Sequence, residues 1–182
     1  MDLISHALWS ALLAKLINFK KRNKLKIGLA ALFGALPDIF AFAPVFIYAF
    51  YQLFASTLDL AEFFQPENFE PPQADTIFIN RLTFFLYELS HSLLVFLLIF
   101  SLVALIYRKL IWEMGAWLLH ILIDIPTHSF AFYPTPFLWP FSNYKFDGLS
   151  WAHPLFLLIN YFLIFLVWWL IKLISSRAAY RR

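Results

Sequence analysis

The chain of 182 residues contains no cysteine and only four glycines. Without Cys there are no disulfides, thiolate nucleophiles, zinc ribbons or iron–sulfur clusters. So little Gly, with no regular period, excludes collagen-like and solenoid architectures. Charge is scarce as well: 14% of residues are Asp, Glu, Lys or Arg, where an ordinary soluble domain has about 25%. Apolar residues take the space, at 62% of the chain with 23 Phe, 8 Tyr and 7 Trp. Neither a soluble globule nor a disordered tail has that composition. The expected class is an all-α, polytopic integral membrane bundle forming a single domain over residues 1–182.

A net charge of +3 would by itself allow a polyanionic partner. Position argues for another role. Of the 14 Lys and Arg, 12 fall in three groups, Lys15 to Lys26, Arg108 with Lys109, and Lys172 to Arg182. All three flank apolar runs, as the positive-inside rule expects of cytoplasmic ends. The expected partner is therefore the lipid bilayer and not nucleic acid. The first apolar stretch opens on Asp2 and carries His6, unlike a cleavable signal peptide, so a retained helix is expected.

Segments 82–106 and 155–171 are long and apolar enough to span, the second broken only by Asn160. Residues 41–60 are similarly apolar. Shorter helices are expected at 3–17, 27–36 and 110–125, buried in the bundle because their ends are polar. Residues 59–80 read as an acidic extramembrane loop. Residues 126–154, rich in Pro and aromatics, read as an ordered capping loop. The basic stretch 172–182 reads as a cytoplasmic tail. With the basic groups inside, one layout gathers His6, Asp38, His91, Asp124 and His128 on the opposite side. That layout requires 41–60 to be re-entrant or interfacial.

An ionisable side chain in a membrane helix costs at least ~2.5–3.5 kcal/mol on insertion scales. Asp2, His6, Asp38, Glu88, His91, His120, Asp124 and His128 all lie in or beside apolar helices, mostly without a neighbouring Lys or Arg. Imidazoles and carboxylates without basic partners are the composition of a divalent-cation site. His120 and Asp124, four apart, share one helix face. His128 follows the helix-ending Pro126 and can fold back over that face. Each residue also has a plainer reading. His120 and Asp124 could make interhelical hydrogen bonds. His6 could bond Asp2, and Asp38 could cap a helix. His91 could be a core histidine, with Glu88 as its partner or as a general base.

Ser5-His6, Gly-Ala-Leu-Pro-Asp at 34–38, Ser-His-Ser at 90–92 and Leu-His-x3-Asp at 119–124 occur in an order that resembles the YdjM-like membrane-bound metal-dependent hydrolases of the inner membrane. Thr127-His128-Ser129, Pro134-Thr135-Pro136 and Trp139-Pro140 look like a continuation seen in some members. Where many members carry His-Arg-Gly, this chain has Leu86-Tyr87-Glu88. A remoter similarity connects the pattern to zinc-dependent phospholipases C. The resemblance implies His6, Asp38, His91, His120 and Asp124 as metal-binding residues, with His128 from the subgroup pattern. Six ligands exceed the three protein ligands usual for one catalytic zinc, which favours two ions. The expected reaction is attack of a metal-activated water on a phosphoester or other lipid-linked bond, with zinc (or manganese) as cofactor and Glu88 or Asp147 as base. The expected location is the bacterial inner membrane, with the site on the extracytoplasmic side. The rival reading is a non-catalytic metal-binding, metal-transporting or structural membrane protein.

Overall fold

The computed structural model describes residues 1–20, 24–55, 61, 78–131 and 133–180. Among these the architecture is all-helical: α1 (Leu3–Lys20), α2 (Ile27–Phe54), α3 (Phe78–Ser90), α4 (Leu93–Tyr107), α5 (Gly115–Thr127) and α6 (Pro154–Tyr180). A 3-10 turn, Trp112–Met114, leads into α5. The acidic stretch 59–80 lies outside the described residues, except for Ala61 and the first turn of α3.

Two helices, α2 and α6, are long and apolar enough to cross a membrane, and the pair α3–α4 makes a third if counted as one bent span. The outer surfaces fit that role. Leu158 on α6 is 69% exposed and Leu105 on α4 is 73% exposed, contiguous apolar surface that a water-soluble monomer rarely shows.

The expected division between 27–36 and 41–60 does not occur. These segments form one helix, α2, which runs through Pro37 and Pro44. In lipid-embedded helices the carbonyls freed by proline can be satisfied by neighbouring groups, so the interruption is tolerated. A continuous α2 is long and apolar enough to cross once, which removes the need for a re-entrant 41–60. It also moves Asp38 from a helix end to the interior of α2, 11 residues past Ile27 and about 17 Å along the axis at 1.5 Å per residue.

The expected single helix 82–106 is in turn two helices, meeting at a 66° bend across His91 and Ser92. Ser92 caps α4 by accepting from Val95 N at 3.2 Å. The loop after α5 secures the bend, with Leu93 N donating to Phe137 O and Ser92 Oγ to Trp139 O. The same loop doubles back over the end of α5, where Gly148, Leu149 and Trp151 donate to the carbonyls of His128, Pro126 and Thr127. Gly148 permits that approach, since a Cβ there would stand 2.5 Å from Pro126 C. Tyr133 to Thr135 are buried within this loop.

α2 is the central helix and packs against α1, α3 and α5. Its contact with α1 runs along small residues, Ala30 and Gly34 facing Ser10 and Ala14. Small residues let membrane helices approach closely without a hydrophobic drive between them. α6 rests on α1 through Asn160, which accepts from Trp9 Nε1 at 2.9 Å and donates to Ser5 Oγ at 2.7 Å. The one polar break in residues 155–171 therefore locks these two helices together.

A Cβ at Gly34 would overlap Ser10 Oγ and lie 2.8 Å from His6 O. Gly34→Ala should push α1 off α2, lowering stability by about 1–3 kcal/mol as overpacking does. Thermal unfolding of the detergent-solubilised variant measures this.

Candidate metal centre

His120 and Asp124 project from one face of α5 toward α2 and the α3–α4 bend. The His120 Nδ1 lies 2.7 Å from Gly34 O on α2. A carbonyl only accepts, so Nδ1 carries the ring proton and Nε2 is the free nitrogen. His91, at the helix break, has Nδ1 3.1 Å from Tyr87 O and 2.9 Å from Ser90 Oγ, which again turns Nε2 inward. This is the outer-shell arrangement that fixes the tautomer of metal-binding histidines.

The two free nitrogens face each other at 3.0 Å. A hydrogen bond between them would need one ring to be an imidazolium, while two neutral rings present lone pair to lone pair. A cation between them resolves both cases. Asp38 and Asp124 complete the set, and all four donor atoms lie within 4.8 Å of one another. His91 Nε2 is 3.4 Å from Asp38 Oδ1 and 3.4 Å from Asp124 Oδ2. His120 Nε2 is 3.5 Å from Asp38 Oδ1 and 3.0 Å from Asp124 Oδ2. Ligands about 2.0–2.2 Å from a tetrahedral ion stand about 3.3–3.6 Å apart. The cluster is spaced closely to those edges, and a buried His2Asp2 set of this shape could hold a divalent metal ion.

Asp124 has a second face. Its Oδ1 lies 2.9 Å from His6 Nε2, 3.7 Å from His128 Nε2 and 2.5 Å from the Met1 nitrogen. Met1 N is also 2.9 Å from His128 Nε2. The His6 ring stacks on His120 at 3.6 Å between centroids. Both of its nitrogens, like Asp124 Oδ2, are buried without a hydrogen-bond partner. The proximity to Asp124 is therefore not hydrogen-bond geometry, and orphaned buried polar atoms of this kind call for a ligand. The plainer reading of His6, a bond to the Asp2 side chain, is not realised. Asp2 instead takes Ser5 N and Ser5 Oγ and accepts from Tyr161 OH.

His128 follows the end of α5. Burial pushes its imidazole down to about 3, against the opposing pull of Asp124. It is neutral near pH 7, the state in which imidazole ligates. Its Nδ1 is held 2.8 Å from Tyr133 O, leaving Nε2 toward Asp124.

The structure thus brings together all six sequence-derived ligand candidates: Asp38, His91, His120 and Asp124 in the tight cluster, His6 and His128 beside it. The two candidate bases lie elsewhere. Glu88 is half-buried on α3 and none of the cluster distances involves it. Asp147 is exposed in the capping loop, where Oδ1 accepts from Phe130 N at 2.8 Å. Sequence reasoning missed Tyr87 and Tyr133, which hold the histidines in place. The Tyr87-x3-His91 spacing on one helix face was the available signal for the first.

The chain matches no family model, no curated protein and no solved structure. The metal reading therefore stands on this geometry.

Binding to the folded state alone stabilises it by about 2.7 kcal/mol at a ligand concentration of 100 Kd. Zinc or cobalt should raise the unfolding temperature of the wild-type protein and a chelator should reverse the rise. His120→Ala should abolish the shift, as read by thermal denaturation in detergent.

Proposed function

We propose that the protein is a polytopic membrane-bound metal-dependent hydrolase, as its resemblance to the YdjM-like family implies. The observation that carries the proposal is the convergence of two imidazoles and two carboxylates, with donor atoms within 4.8 Å of one another, inside a helical bundle. Zinc is the favoured ion for a His-rich set, with manganese as the alternative. Four protein donors close a tetrahedral site, whereas hydrolysis needs an open position. The second face of Asp124 carries three more donors, His6, His128 and Asp124 Oδ1, the number found around catalytic zinc. It would open when the Met1 nitrogen, 2.5 Å from Oδ1 and 2.9 Å from His128 Nε2, withdraws. A second ion would then be held by His6, His128 and Asp124. Such ions supply a bound water of pKa near ~7 and polarise the scissile bond.

This chain's own residues orient the donors and exclude bulk water. His6, His91, His120 and Asp124 have fully buried side chains, while the side chain of Asp38 is 11% exposed. The Asp38 side is accordingly the approach for a substrate. Because Asp38 stands within α2 and the outer surface is apolar, a phosphoester or other lipid-linked bond is the proposed substrate. The basic residues at the ends of α4 and α6 support a centre in the extracytoplasmic half of the bilayer under the positive-inside rule. The proposed location is the bacterial inner membrane.

A second reading is a non-catalytic metal-binding or metal-transporting protein, favoured by the closed four-donor set. Metal content of the purified protein by elemental mass spectrometry, followed by a screen of phosphoester and lipid substrates, separates the two. The hydrolase reading expects one or two equivalents of zinc or manganese and a hydrolysed substrate, both lost in a His120→Ala/Asp124→Ala variant. Bound metal without turnover would favour the second reading, and a folded protein without metal would sink both.

A further inference from the structure

Tyr87 is 3% exposed and touches two of the histidines at once, through three different parts of the residue. Its ring stacks on His91 at 3.8 Å between centroids. Its carbonyl receives both the His91 backbone N at 2.9 Å and the His91 Nδ1 at 3.1 Å. Its hydroxyl donates to Tyr133 O at 2.9 Å and lies 2.9 Å from His128 Nδ1. Tyr133 O is also the acceptor for His128 Nδ1. One carbonyl thus joins a phenol and an imidazole 41 residues apart in sequence.

That carbonyl owes its direction to an uncommon backbone. Tyr133 has φ 44, in the left-handed region that non-glycine residues rarely enter and that surrounding structure must enforce. Aromatic contacts enforce it: the Tyr133 ring stacks on Phe84 at 4.9 Å and meets Phe42 at 5.3 Å and Tyr87 at 5.2 Å. Phe42, Phe84 and Tyr87 come from α2 and α3, so the capping loop is registered on the bundle by this aromatic box.

We propose that Tyr87 is a positioning residue for the metal centre, setting the ring orientation of His91 and His128 together. The backbone carbonyl and ring serve His91, and the hydroxyl serves His128 through the shared Tyr133 carbonyl. The inference rests on the metal reading above and adds to it a residue outside the donor set.

The test uses the full chain in detergent, stripped of metal and titrated with cobalt(II). Affinity is read by chelator competition and by the visible d–d absorption of the bound ion. Tyr87→Phe keeps the ring and carbonyl and removes only the hydroxyl. It should weaken cobalt binding by about 10–100-fold, the range for loss of an outer-shell partner, and alter the absorption band. His128→Ala and the double variant close a cycle. If the hydroxyl acts through His128, the double variant loses no more affinity than His128→Ala alone. Ile164→Ala, in the α1–α6 contact with Leu12 and Ile171, is the control for loosened packing, expected to lower the unfolding temperature of the metal-free protein while leaving cobalt affinity in place. Unchanged affinity in Tyr87→Phe, additive losses in the double variant, or an equal affinity loss in Ile164→Ala would each overturn the proposal. A wild-type protein that takes up no cobalt would instead defeat the metal reading itself.

Discussion

A carboxylate sealed inside an apolar bundle has to be met by positive charge or by donors, and most of this chain is arranged to meet Asp124. α1 brings His6, the α3–α4 bend brings His91, α5 brings His120 on the same face, and the start of the capping loop brings His128. Removing an unpaired charge from water costs far more than any single hydrogen bond returns in a membrane bundle, where the average is about 0.6 kcal/mol. Helix packing alone is a poor reason to keep six ionisable side chains in one buried place. The Met1 nitrogen meets Asp124 Oδ1, and a divalent cation in the His2Asp2 cluster would balance the remaining carboxylate charge and use the imidazole lone pairs.

The fold can be understood as the means of delivering those groups. Gly34 lets α1 and α2 come close enough for His6 to stack on His120, and its carbonyl takes the His120 Nδ1 proton. One small residue therefore sets both a helix separation and a tautomer. The break between α3 and α4 has a comparable double role. It ends a helix at His91, and it exposes backbone and the Ser92 hydroxyl that bond the capping loop. The loop in turn carries Tyr133, whose carbonyl orients His128.

The sequence made much of this readable, for a physical reason. His6, Asp38, His91, His120 and Asp124 stand out because ionisable groups are costly among so many Phe and Leu, so each one demands an explanation. The i, i+4 spacing of His120 and Asp124 then gave a shared face directly. Helix ends were harder. Pro37 and Pro44 read as boundaries by rules drawn from water-exposed helices, yet α2 continues through both. The bend at His91 was invisible in an apolar run because hydropathy carries no information about direction. Tyr87 and Tyr133 escaped notice as two aromatics among 38 Phe, Tyr and Trp, since composition cannot separate a lipid-facing ring from one that holds a histidine.

The order of the ligands along the chain has a consequence for synthesis. His6, Asp38 and His91 all emerge before residue 120 exists, on helices that enter the bilayer from the N-terminal side onward. The carboxylate they surround arrives only with α5, after the bent pair has been made. During that interval three polar side chains lack most of their eventual partners, each at a transfer cost of up to a few kcal/mol. The nascent helices have reason to stay near the insertion machinery, or near one another, and not to disperse into lipid. Delivery of Asp124 then acts as a late closing step: the bundle becomes electrostatically self-consistent only when its fifth helix is in place.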